Sequence, residues 1–169
     1  MINQPDVAAI KNQWLFDQVN VEFPTEESLQ GRDLYQKAVV QRSSRPFIEL
    51  TEEPNLSLLE EVYLVDFHRM TIWFALLQAS LWSDKNDQSK VIEFFTQIIY
   101  SAPCELYLGF QNGEPVAAGI VTSTSHEILI SDIVTLDKNA FGGEDVFTRL
   151  LLAKWCANHE CNGNVFIEQ

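Results

Sequence analysis

Residues 104 to 135 read CELYLGFQNGEPVAAGIVTSTSHEILISDIVT, and this stretch decides the fold. Leu106, Leu108 and Phe110 alternate with Glu105, Tyr107 and Gly109, the period of a strand with two unlike faces. Asn112 and Gly113 follow, a pair that tolerates the positive φ angles of a type I′ turn, so Val116 to Thr122 is expected to return as the hairpin partner. Glu127 to Thr135 then carries apolar residues on both faces, as a central strand covered from two sides must.

Toward the C-terminus, Phe141, Gly142 and Gly143 precede a helix predicted from Glu144 to about His159, which Asn162 and Gly163 end. That helix is apolar over a wide arc (Val146, Leu150, Ala153 and Ala157; Phe147, Leu151 and Trp155), so it is expected to be buried against a sheet. Val165 to Ile167 form a last strand. Toward the N-terminus, Pro103 stops a helix that starts near Asp87 and turns Val91, Phe94, Phe95, Ile98 and Ile99 inward. Before it, Leu59, Tyr63, Phe67, Met70, Phe74, Leu77 and Leu81 recur at helical spacing behind a Ser57/Glu60 capping box, which predicts one long helix beginning at Ser57. Pro46 to Thr51 alternates briefly, as a short strand does. Two helices are expected before residue 43. One carries Val7, Ile10 and Trp14; the other is capped by Thr25 and carries Leu29, Leu34, Ala38 and Val39. The chain thus divides into an N-terminal helical segment, residues 1–45, packed on a main unit, residues 46–169, within a single structural domain.

At 169 residues, folding hides roughly 70% of the surface of the extended chain, so a sizeable core is available. The apolar fraction of 46%, with 11 Phe and 4 Trp, is too high for a disordered chain. No apolar run is long enough to span a bilayer and Met1 to Asp6 lack the pattern of a signal peptide, which points to the cytoplasm. Three cysteines, Cys104, Cys156 and Cys161, are an odd number in a chain that needs no staples, so reduced thiols are expected. The formal charge of −13 argues against nucleic acid, which requires clustered lysine and arginine, and favours a cationic partner: a small-molecule amine or a basic protein.

From Phe47 onward the predicted order is strand, helix, helix, strand, hairpin strand, strand, glycine loop, helix, strand. With the hairpin around Asn112-Gly113-Glu114, Gly119 inside its second strand, and Ser131-Asp132-Ile133-Val134-Thr135 leading to a turn and a helix, residues 47 to 168 resemble the GNAT superfamily of acyl-CoA N-acyltransferases. The resemblance implies an α+β fold: a mixed, mainly antiparallel central sheet flanked by helices, here with an extra helical N-terminal segment. It also implies that acetyl-CoA or another acyl-CoA is the cofactor and an amine the acceptor, with no metal. Ile133, Val134 and Thr135 would touch the pantetheine arm. Asn139, Gly142 and Gly143 would lie at the pyrophosphate, held by a helix N-terminus whose N–H groups are unpaired.

The family's loop motif, Gln/Arg-x-x-Gly-x-Gly/Ala, is matched here by Asn139-Ala140-Phe141-Gly142-Gly143-Glu144. The cation or glutamine is gone, and a carboxylate stands where a small residue belongs. Losing two charged phosphate hydrogen bonds would weaken binding by roughly 10² to 10⁴. The family also continues past the last strand with a further helix and two strands; the N-terminal helices are expected to fill that space.

Asp132 is the candidate general base. It is expected to share a strand face with Ile128, Ile130 and Val134, where burial would raise its pKa toward that of an amine-deprotonating group. Cys156, His159 and Cys161 offer at most three ligands with no second cluster, so no zinc site is expected. Trp73, Trp82 and Trp155 are expected in the core. Two functions remain open: an acyl-CoA-dependent N-acetyltransferase-like enzyme, or a catalytically inactive binding or assembly module whose acidic surface holds a basic partner. The oligomeric state is not legible.

Overall fold

In the computed structural model, which describes residues 4–48 and 55–169, one six-stranded sheet carries helices on both faces, an α+β architecture. Helices α1 (Asp6–Asp17) and α2 (Glu26–Val39) lead into strand β1 (Ser44–Pro46). Then come β2 (Val62–Leu64), α3 (His68–Ala79), α4 (Lys85–Phe95), β3 (Cys104–Gln111), β4 (Glu114–Ser123), β5 (Glu127–Thr135), α5 (Glu144–Cys156) and β6 (Asn164–Glu168). The strand order is β1-β6-β5-β4-β3-β2. Among the described residues only β5 and β6 run parallel; every other pair is antiparallel.

The β3–β4 hairpin turns at Asn112 and Gly113 with φ of 53° and 77°, the conformation expected of that pair. One face of the sheet meets α3 and α4, where Phe74, Phe94 and Phe95 pack on Leu106, Leu108 and Ile120. Phe147, Leu150 and Trp155 of α5 cover the other face over Val121, Ile128 and Ile130. Helix α2 crosses α4 at Gly31, where a Cβ would stand 2.0 Å from the Lys90 carbonyl oxygen, so no larger residue fits.

The single long helix expected from Ser57 is instead three elements. A 3₁₀ turn (Leu56–Glu61), capped by Asn55 rather than Ser57, runs into β2, and α3 starts only at His68. Val62 and Val65 are buried while Tyr63 and Leu64 are exposed, and Val62 to Leu64 hydrogen-bond to β3 as a sheet edge. A cross-strand partner outcompetes helical spacing here because the segment is β-branched and aromatic. Of the predicted stripe, Met70, Phe74 and Leu77 are buried, whereas Tyr63, Phe67 and Leu81 are exposed; Ile99, expected inward on the next helix, is exposed as well. The strand expected at residues 46–51 lies at Ser44–Pro46, with the Phe47 amide donating to the Val165 carbonyl; residues 49–51 fall outside the described residues.

Cys156 and Cys161 are joined by a disulfide, correcting the expectation of reduced thiols; Cys104 is free and buried. Five residues apart, at the end of α5 and in the following turn, they face each other at a Cα separation of 5.0 Å, well inside bonding range. Among the described residues no helix is long and apolar enough to cross a membrane.

A cleft at the fork of the parallel strands

Strands β5 and β6 pair from Glu127↔Asn164 to Ile130↔Ile167, and beyond that point a bulge redirects β5. Ala118 pairs with Val134 and Ile120 with Ser131, so Gly119 alone faces Asp132 and Ile133. A side chain at Gly119 would crowd the core: a Cβ would lie 2.6 Å from Ile133 Cδ1 and 2.7 Å from Leu151 Cδ2, so both side-chain ends would have to shift. Asp132 adopts φ of 56°, a left-handed conformation costly for a residue with a side chain. Gln78 of α3 holds the bulge by donating from Nε2 to the Asp132 carbonyl at 2.7 Å.

The bulge reverses the predicted facing of Asp132. Ile128 and Ile130 pack with α5, and so does Ile133, but the Asp132 side chain lies on the α1 and α2 side. There it is fully buried and surrounded. Its Oδ1 accepts from the Tyr35 hydroxyl and Arg42 Nη1, both at 2.7 Å. Its Oδ2 accepts from Ser131 Oγ at 2.7 Å and lies 3.3 Å from Lys11 Nζ. Glu168 at the end of β6 completes the group, its Oε1 being 2.7 Å from Lys11 Nζ and 3.2 Å from Arg42 Nη1. Each cation therefore touches both carboxylates, and together they clasp the two strands where backbone pairing has ended.

Two cations balance two carboxylates, which is how charges survive at such depth. Burial alone would push the Asp132 carboxyl up, as the sequence suggested. Attraction to Lys11 and Arg42, with hydrogen bonds from Arg42 and Ser131, outweighs burial and holds it well below the usual carboxylate range. The expected direction is thus overturned: Asp132 is a settled anion. For Lys11 and Arg42 burial works downward, but Asp132 above all reverses it and raises both above their ordinary values. Tyr35, raised by burial and by the Asp132 charge, stays a neutral donor.

Outside the clasp opens a cleft of about 400 Å³. Its lining includes Arg42, Asp132, Ile133, Glu144, Asp145 and Glu168; the Asp132 and Glu168 carboxylates are buried and paired with Lys11 and Arg42, which leaves Glu144 and Asp145 as the exposed carboxylates. Glu144 and Asp145 sit in the first turn of α5, where the helix dipole favours negative side chains. A smaller cavity beside it, about 210 Å³, is bordered by Arg45, Arg149 and Asp145.

Of the sequence-predicted cofactor residues, Ile133 lines the cleft next to Asp132. Val134 is buried, and Thr135 pairs with Ala117. Asn139 is exposed in the turn before α5, its amide donating to Asp137 Oδ1. Gly142 and Gly143, with φ of 81° and 105°, make the entry into α5 behind Phe141, which is itself left-handed at φ 56° and buried against Phe147. Lys11, Tyr35, Arg42 and Glu168 were not singled out from sequence. One signal was available: Lys11 lies four residues from Val7 and from Leu15, within the buried stripe of α1.

Among the described residues no group of three or more His, Cys, Asp or Glu side chains is arranged to hold a metal ion. Cys156 and Cys161, two of the three potential zinc ligands near the end of α5, are held in the disulfide. His159 stacks on Trp155, with ring centroids 4.4 Å apart, and places Nε2 2.8 Å from Glu105 Oε1.

No family model and no curated protein matches the chain. Two solved structures show a distant likeness. A functionally unknown conserved protein from Staphylococcus epidermidis ATCC 12228 aligns at 13% identity over 83% of this chain and 68% of its own, with a TM-score of 0.49. A conserved protein of unknown function from Bacteroides thetaiotaomicron VPI-5482 aligns at 7% identity over 92% of this chain and 47% of its own, with a TM-score of 0.30. Neither likeness bears on function.

Proposed function

We propose that the chain is a non-catalytic binding module on a GNAT-like scaffold, whose acidic cleft holds a cationic group of a basic partner, a polyamine or a lysine- and arginine-rich protein segment. The observation that carries this is the clasp. In the superfamily the fork between these two parallel strands admits the pantetheine arm. Here Arg42 and Lys11 bridge Asp132 to Glu168 across it. Two features weigh against an acyl-CoA: buried side chains occupy the fork, and Glu144 and Asp145 oppose a pyrophosphate at the α5 N-terminus. The formal charge of −13 adds long-range attraction for a cation.

A second reading, acyl-CoA-dependent N-acylation of an amine, is favoured by the fork and its bulge and by Arg45 and Arg149 bordering the neighbouring cavity. Calorimetric titration separates the two. Spermidine is expected to bind, and to bind more weakly as salt is raised, while acetyl-CoA at millimolar concentration gives no heat. Micromolar acetyl-CoA binding would reject the first reading in favour of the second.

A further inference from the structure

On the far edge of the sheet, remote in the strand order from the β5–β6 fork, four aromatic side chains surround a cavity of about 310 Å³. Tyr63 comes from β2, Phe67 from the turn before α3, Trp73 from α3 and Phe110 from β3. Phe110 stands nearly perpendicular to both Tyr63 and Trp73, at 89° and 78°, with centroids 5.4 Å and 5.7 Å apart. Each contact sets the edge of one ring against the face of the other, and the four rings together line the cavity. Tyr63 and Phe67 are 47% and 51% exposed, so they serve the cavity more than the core. Glu61 contributes a carboxylate to the same wall. Arg69, one helical turn before Trp73, already lies 5.2 Å above the indole, so this ring holds a cation within its own chain.

We infer that this is an aromatic cage for a small alkylated ammonium ion. Aromatic faces attract a cation through the ring quadrupole, and a carboxylate adds to that attraction. A primary ammonium must keep three N–H donors satisfied, and the cage offers one carboxylate for them; a trimethylammonium has no such donors and matches apolar walls. The ligand class is therefore a quaternary ammonium with no anionic group near the nitrogen, since Glu61 would repel one.

The test titrates the full chain with choline, with N-acetyl-trimethyllysine amide, and with 3,3-dimethylbutanol, the neutral isostere of choline, following the Trp73 indole N–H by proton NMR and assigning it with Trp73→Phe. Saturable shifts are expected with the cations, and roughly tenfold weaker binding for the neutral isostere. Tighter binding of choline would assign the site to a free metabolite, and of the lysine derivative to a methylated side chain; either supports the cage. Glu61→Gln, an exposed change that leaves the fold intact, should weaken both cations and leave the alcohol unchanged. Equal affinity for choline and its isostere, no saturable shift with either cation, or an effect undiminished in Trp73→Leu that retains wild-type circular dichroism would overturn the inference.

Discussion

Replacing Lys11 by methionine keeps most of the side-chain volume and removes one charge from the clasp. Asp132 and Glu168 are left buried with Arg42 as their only remaining cation in the group. Stripping one partner from a buried ion pair costs about 3–5 kcal/mol, and a domain of this size loses about 2–4 °C of melting temperature per kcal/mol, so a drop of roughly 6–20 °C is expected. Urea titration should show the midpoint falling with little change in slope, since the same surface is exposed on unfolding. The pH dependence carries the sign. In the wild type the Asp132 carboxyl is depressed on folding, so its contribution is complete above about pH 5 and is lost only as the pH falls through its lower folded value. Lys11 and Arg42 are raised on folding, so theirs persists through neutrality and fails only in strong alkali. In Lys11→Met the Asp132 carboxylate keeps only Arg42 as counter-charge and takes up a proton at higher pH than in the wild type, so the deficit should shrink between pH 7 and about pH 4. The double variant Lys11→Met/Glu168→Gln should be more stable than Lys11→Met alone. A cost below about 1 kcal/mol, or a deficit equal at both pH values, would refute the view that paired charges hold the fork.

Gly31→Ala should destabilise by about 1–3 kcal/mol, because its new methyl meets the Lys90 backbone and one helix must move; an unchanged urea midpoint would mean that α2 and α4 do not cross there. Gly113→Ala meets no atom within 4 Å and should cost only about 1 kcal/mol of backbone strain at φ 77°, measurable in the same titration. Thiol titration with an aromatic disulfide reagent should find no reactive group in the native, unreduced protein, because burial pushes the Cys104 thiol up to about 12. Denaturation without reductant should release one thiol and reduction three; three before reduction would remove the Cys156–Cys161 bond.

Where one local preference dominated, the sequence was easily read. Asn112-Gly113 had two positive-φ residues and alternating flanks, and Glu127 to Thr135 was apolar on both sides, as a strand between α3 and α5 has to be. The predicted long helix failed because Leu59 to Leu81 satisfies helical spacing and yet includes Val62-Tyr63-Leu64-Val65, a segment that β3 captures by hydrogen bonds. The facing of Asp132 was misread because the bulge depends on Gly119 in another strand and Gln78 in a helix, neither of which marks Asp132 in its own neighbourhood. The clasp was out of reach for the same reason. Lys11, Tyr35, Arg42 and Glu168 are spread from residue 11 to residue 168 and converge only when α1 and α2 fold over the fork. Lys11 inside an apolar stripe was the visible sign, since a lysine there must find a buried partner.

The fork itself explains why the N-terminal helices exist in this form. Two parallel strands that stop pairing leave an opening between them that must be filled by a ligand, by water or by side chains. In this chain α1 supplies Lys11, α2 supplies Tyr35, and the turn after α2 supplies Arg42, all aimed at Asp132 and Glu168. An arm threading between the strands would have to separate Arg42 from one carboxylate or the other, uncovering a buried charge at a cost of several kcal/mol before any contact of its own is made. The helices that precede the core and the carboxylates within it thus form one device. It fixes the sheet's open end and leaves the outer rim of Glu144 and Asp145 as the exposed, acidic part of the cleft.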